Sequence, residues 1–257
     1  MLSAKTTMAH HHHHHGHGHE HHGQGVDFAA ANKEYFSTHV SDFDKPSVTE
    51  LAIKVTKAMR EHYPFDKNST TVMDFACGAG HISRELGPYS KSIVGVDITQ
   101  GLVDAYNKRA TEKGIPPEEM HAVCVELKGE EGELDGRKFD VITCSMSYHH
   151  FGSVEAITKM LAFFLKPGGA LLIVDILNKP ENAAEVPKIP EKYRHVIAHT
   201  SGFKEEKFRA VMQGAGLITA VFIPEAMDFT FLFNEEEEGE GSVTGKLFFT
   251  KAVKPSA

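Results

Sequence analysis

Basic side chains are the scarcer sign of charge: 27 Lys and Arg stand against 35 Asp and Glu, a formal net charge of -8. No Lys/Arg cluster supplies the electrostatic footprint on which nucleic-acid affinity mostly rests, so no nucleic-acid partner is expected. Much of the acid excess lies in one run, "NEEEEGEG" from Asn234 to Gly241. Like charges in a run repel and solvate, which suits a turn. No apolar run approaches the roughly 20 residues that a membrane span needs. The first 25 residues hold one lysine and no arginine, against a signal or transit peptide, so the expected location is cytoplasmic. Cysteine is sparse too. Cys77, Cys124 and Cys144 are odd in number and in no CxxC spacing, which excludes a disulfide framework and a zinc ribbon and leaves small buried thiols.

What is present fits one α/β domain of 257 residues, preceded by an arm. Ten of the 18 histidines fall between His10 and His22, with almost no apolar residue among them. Residues 1–25 are therefore expected to be disordered, either as an appended tag or solvated tail or as a weak chelating arm; no other metal site is expected. The folded part, 26–257, opens with "FAAANKEYFSTH" as a short helix. A break comes at Asp44-Lys45-Pro46, then an amphipathic helix carrying Val48, Leu51, Ala52, Val55, Ala58 and Met59 on one face. These elements, 26–63, would cap the domain.

Short apolar runs then alternate with helical patterns. Strands are expected near Thr71–Ala76, Ser92–Val96, Ala122–Val125, Phe139–Cys144 and Ala170–Val174, with helices near Ile82–Leu86, Leu102–Lys113, Val154–Leu165 and Glu205–Ala215. "LKPGG", Leu165–Gly169, is a tight turn into the fifth strand. The alternation predicts a parallel sheet with helices on both faces. The last two apolar runs, Leu217–Ile223 and Val243–Ala252, would form an antiparallel pair joined through the acidic turn.

In such a sheet, ligands bind where the first strand meets its helix. "VMDFACGAGHISREL", Val72–Leu86, occupies that turn. Gly78 and Gly80 let backbone approach a ligand, and Asp97, nineteen residues past Gly78 at the end of "IVGVD", is placed to accept both hydroxyls of a ribose. A nicotinamide fingerprint would carry a third glycine where Ser83 stands. An acid at Asp74 suits a cationic amine, and the two departures together point to an amino-acid tail on a nucleoside, as in S-adenosylmethionine.

"DFACGAG" with "GVD", "FDVITCSMSYHHF" and "LKPGG" resembles the class I S-adenosylmethionine-dependent methyltransferases, most of all the UbiE/COQ5-like small-molecule group. The resemblance runs from about Val26 onward. It implies a Rossmann-like, mostly parallel seven-stranded sheet and S-adenosylmethionine as cofactor. By position it implies that Asp74 holds the methionyl amine, Ala76, Gly78 and Gly80 line the cofactor, Asp97 binds the ribose and Ile98 flanks the adenine. Glu126 would meet the adenine amine, Ser145 would border the cofactor at the fourth strand, and Tyr35 would cover it. Ala76 departs from the family, which usually has glycine there.

Methyl transfer needs alignment above all, plus a base where the acceptor is protonated. Tyr148, His149 and His150 stand at the end of the fourth strand, and His149 reads either as that base, with Tyr148 beside it, or as packing around the ligand. The long segment 176–203 reads as a lid or acceptor-pocket wall, with Tyr193, His195, His199 and Phe203 as candidate linings. The implied activity is methylation of a small molecule at oxygen, nitrogen, sulfur or activated carbon. A protein acceptor and a non-catalytic cofactor-binding scaffold are the alternatives.

Overall fold

Asp27 starts the first helix by accepting from Ala30 N at 3.0 Å. The computed structural model describes residues 25–178, 191–235 and 239–256. Helix α1 spans Phe28–Thr38, and a short turn, Val40–Asp44, leads to α2, Pro46–His62. Pro46 sits at the helix start, where a missing N–H leaves no bond unmade. Ala52, Val55, Thr56 and Met59 form the buried face of α2. That face packs on the sheet, beside Val72, Ile93, Val141 and Leu172.

The strands are β1 (Thr71–Phe75), β2 (Ser92–Asp97), β3 (Met120–Cys124), β4 (Phe139–Ser145), β5 (Leu165–Ile176), β6 (Ile218–Glu235) and β7 (Gly239–Val253). Their order across the sheet is β3-β2-β1-β4-β5-β7-β6. The first five are parallel, and β7 lies antiparallel between β5 and β6. Helices α3 (His81–Leu86), α4 (Gln100–Glu112), α5 (Val154–Phe164) and α6 (Glu205–Gly214) fill the connections. Successive residues of β1 serve opposite faces, as strand periodicity requires. Val72 joins the core with Val55 and Tyr106, while Met73 joins the core with Leu161 and Phe208. The Rossmann-like, mostly parallel seven-stranded sheet is thus the fold observed.

"LKPGG" forms a looped-out entry to β5. Leu165 pairs with Phe139, the next pair is Ala170 with Val141, and Gly168 takes φ +78°. The terminal hairpin is longer than its apolar runs predict. Pairing lapses between Ile223 and Met227, where Glu225 adopts φ +50°, then resumes as far as Glu235 with Gly239. The described part of the acidic run is therefore strand backbone; residues 236–238, like 1–24 of the expected arm and 179–190 of the segment read as a lid, lie outside the described residues.

The order of strands reverses at β1 and β4, the switch point where open α/β sheets bind ligands. Just past the ends of these two strands, Ala76 and Met146 both adopt φ +54°, a left-handed backbone unfavourable to residues other than glycine.

Candidate active site

The turn after β1 closes on itself through Gly80 N to Cys77 O (3.0 Å) and on β2 through Cys77 N to Val96 O (3.1 Å). Gly78 (φ +51°) and Gly80 (φ +82°) give it a shape that L side chains resist. A Cβ on Gly78 would lie 2.7 Å from Phe43 Cε1, and one on Gly80 2.5 Å from Tyr106 Cδ2. Gly78 N donates to Asp97 Oδ2 and Thr99 N to Asp97 Oδ1, each at 2.9 Å. Burial raises the Asp97 pKa, and these backbone bonds only partly offset it. Cys77 and Cys144 are both buried thiols, whose pKa burial pushes up.

Asp74 is only 2 % exposed. Its Oδ2 accepts from Ser83 Oγ at 2.6 Å and its Oδ1 from Thr143 Oγ1 at 2.9 Å. Burial lifts this carboxyl to about 6 despite those bonds. Both oxygens face protein hydroxyls, so Asp74 is a tie between β1, α3 and β4.

At the end of β4 the geometry gathers around an acid that the sequence reasoning did not single out. Asp175, fully buried in β5, accepts from His149 Nδ1 at 2.8 Å, Tyr148 N at 2.8 Å and Ile176 N at 2.7 Å. Burial alone would raise its carboxyl, but the His149 ring and these bonds hold it below the usual carboxylate range. Bonding to the carboxylate places a proton on His149 Nδ1 and orients the ring, so that Nε2 is the nitrogen turned away from Asp175. One signal pointed there: "LLIVDI" ends an apolar run in an acid, as "VMDF" and "IVGVD" do.

Tyr148 belongs elsewhere. Its hydroxyl meets Thr158 Oγ1 at 3.0 Å inside the core, and its ring packs on Phe151, Phe203 and Phe208. Tyr148 N also donates to Asp175 Oδ2 at 2.8 Å, while the side chain lies in the core. Its assignment to the chemistry is corrected on that ground. Ser145 Oγ is buried with no hydrogen-bond partner among the described residues.

The described part of the 176–203 segment docks on this end of the sheet. His150 Nδ1 donates to Val196 O (2.6 Å), His199 Nε2 to Phe151 O (3.0 Å) and His199 N to His149 O (3.0 Å). Burial, then the neighbouring His149, pushes His150 down to about 3. Phe203 lies in the core, whereas Tyr193 and His195 meet Tyr35 edge-on at 6.2 and 6.1 Å. Burial and Tyr193 push the Tyr35 phenol up to about 12. Rings run from the glycine turn to the histidines: Phe43 meets Phe36 at 6.0 Å, Phe36 meets His150 at 5.4 Å, and His150 meets His149 at 4.2 Å. Ile98 is half-buried beside Asp97, while Glu126 is exposed just past β3.

Residues 47–219 match the family described as a methyltransferase domain. An uncharacterized methyltransferase of Schizosaccharomyces pombe is 34 % identical over 163 residues, covering 62 % of this chain and 57 % of that protein. A ubiquinone biosynthesis O-methyltransferase of Coxiella burnetii is 29 % identical over 105 residues, covering 41 % of this chain and 43 % of its own length. The chain spans about half the length of the curated relatives it matches. The crystal structure of magnesium protoporphyrin IX methyltransferase from Synechocystis, with bound S-adenosylhomocysteine, shares the fold at TM-score 0.60 and 15 % identity, over 89 % of this chain and all of that one. Among the described residues no helix is long and apolar enough to cross a membrane. With the family match taking in well over half of the chain, this protein belongs to the methyltransferase-domain family.

Proposed function

We propose that this chain methylates a small-molecule acceptor whose nucleophilic atom carries a proton at neutral pH, with His149 as the group that takes the proton. The His149–Asp175 pair carries this reading: a buried carboxylate holds one ring nitrogen and orients the other. S-adenosylmethionine supplies a methyl group activated by its sulfonium.

The residues at the switch point fit that cofactor. The two Asp97 oxygens accept from Gly78 N and Thr99 N, which fixes the carboxylate that would accept a ribose hydroxyl pair. Ser145 Oγ, buried and unpartnered among the described residues, is a polar group in search of a ligand beside the same turn. Gly78 and Gly80 let the turn pack against Phe43 and Tyr106 where a Cβ would not fit, which sets the shape of the turn that would hold the cofactor. In this reading Ala76, Gly78, Gly80, Asp97, Ile98 and Ser145 bind the cofactor, and Tyr35 covers it from α1. Asp74 supports the turn from behind through Ser83, and Glu126 is left as a peripheral contact.

Cover from α1 and from residues 191–203 supports a small acceptor over a protein chain, because their aromatic contacts close the face that a peptide would need open. Excluding water also strengthens the His149–Asp175 interaction. The test is transfer of labelled methyl from S-adenosylmethionine into fractionated cell extract. Label in small molecules, lost in His149→Ala with S-adenosylhomocysteine affinity retained, is the expected result. Label in protein would establish the other acceptor class, and cofactor binding without transfer to any fraction would make the chain a scaffold.

A further inference from the structure

Two guanidinium groups converge on one carbonyl oxygen behind the glycine turn. Arg84 Nη1 and Arg109 Nη1 both donate to Ala79 O, at 3.3 and 3.1 Å. They line a groove of about 290 Å³ between α2, α3 and α4, together with Asp44, Thr49, His81, Glu112 and Lys113. The compensation of charge there is incomplete. Arg109 also pairs with Asp44, whereas among the described residues Arg84 hydrogen-bonds to uncharged groups, Ala79 O and His81 Nδ1, and Glu85 and Asp44 act on it only through longer-range charge. His81 is neutral in this network, since Nδ1 accepts from Arg84 while Nε2 donates to Phe43 O at 2.7 Å. Lys113 makes no ion pair among the described residues, and the nearby Glu112 is engaged by Lys108 at 3.9 Å. Burial, and then the charge of Arg109, already pulls Arg84 below its ordinary pKa.

Paired guanidiniums with a nearby ammonium are the donor set for a tetrahedral oxyanion, because each planar fork offers parallel N–H groups to two oxygens. We propose that this groove binds a phosphate-type oxyanion, as free phosphate or a phosphate monoester, through Arg84, Arg109 and Lys113. The bound anion competes with Asp44 for Arg109. Asp44 ends the turn Val40–Asp44 whose Phe43 lies on Gly78, and that turn is held by two ties, Arg109 to Asp44 and His81 to Phe43 O. Losing the first loosens the aromatic cover of the glycine turn. This coupling rests on the cofactor reading, whereas anion binding does not.

The experiment titrates inorganic phosphate into the full chain, without cofactor, by calorimetry at constant low ionic strength and pH 8, where the arm's imidazoles carry little charge. One saturable site is expected, weakened roughly tenfold or more by Arg84→Gln and by Lys113→Gln, since each removes a charge-assisted bond. Lys113 is exposed at a helix end, so its variant keeps the fold, verified by circular dichroism. Heats no larger than with chloride, or unaltered affinity in both variants, would overturn the site. Glycerol phosphate binding more tightly than phosphate identifies a monoester as the ligand, and weaker binding identifies the free anion. Saturating phosphate should also speed release of S-adenosylhomocysteine, and an unchanged rate with the anion bound would overturn the coupling.

Discussion

Ser83 Oγ donates to Asp74 Oδ2 at 2.6 Å, joining the first turn of α3 to the end of β1. The serine that replaces a third glycine and the acid that precedes the turn are thus two halves of one contact. A buried bond to a charged acceptor contributes about 2 kcal/mol. Ser83→Ala is expected to lower the unfolding free energy by about that amount, read from the urea midpoint at unchanged slope.

Ala76 carries a left-handed backbone, φ +54°, which costs strain in any residue but glycine. Relief of a left-handed Cβ clash is worth about 1–2 kcal/mol, against roughly 0.5–1 kcal/mol lost to the looser unfolded chain. Ala76→Gly should therefore stabilise the protein by up to about 1 kcal/mol, whereas Ala76→Val should destabilise it. Denaturant midpoints of both variants decide the matter.

Asp97→Ala is expected to abolish measurable S-adenosylhomocysteine binding. The substitution removes the ribose acceptor and leaves Gly78 N and Thr99 N without their partner. Calorimetry showing parental affinity in this variant would displace the cofactor site from the β1–β2 edge.

His149→Ala and Asp175→Asn should each lower turnover by about 10²–10⁴-fold, the usual contribution of a positioned base. Cofactor affinity in His149→Ala should stay within a few-fold of the parent. Single-turnover rates separate this outcome from a binding defect.

Acid should weaken the fold through His81 and His150. Their folded values, about 4 and about 3, lie below the ordinary 6.5, so the unfolded chain binds the extra protons. The stability they contribute is complete above pH 6.5 and is lost as pH falls toward 4 and 3. Asp74, raised to about 6, acts in the opposite sense: its burden on the fold grows as pH rises from 3.8 to 6. Chemical denaturation at pH 7 and pH 5 should show the net loss, and His150→Gln should remove about 1 kcal/mol of it after allowance for solvent screening.

Legibility from sequence tracked the physics of each element. The inner parallel strands announced themselves because both their faces are buried, which writes continuous apolar runs such as "SIVGVD" and "ALLIVD". Gly78 and Gly80 were readable because positive φ demands glycine. The inward turn of Tyr148 was not readable, because it lies past the end of β4 at Ser145, where strand alternation no longer says which way a side chain faces. The reach of β6 and β7 was hidden by polar residues, which a two-stranded ribbon tolerates once backbone pairing holds it. Asp175 required knowing that β4 and β5 are neighbours, a tertiary fact that pairs Ser145 with Val174.

The insertion of β7 between β5 and β6 also bears on synthesis. Every strand up to β5 can pair as it emerges from the ribosome, yet the outer edge of β5 finds its antiparallel partner only after α6 and the whole of β6 have been made. Until then the nascent chain presents an unpaired apolar edge, from Ala170 to Ile176, of the kind that recruits chaperones or other chains. Slowed translation between β5 and β7 should therefore reduce soluble yield more than the same pause placed before β4.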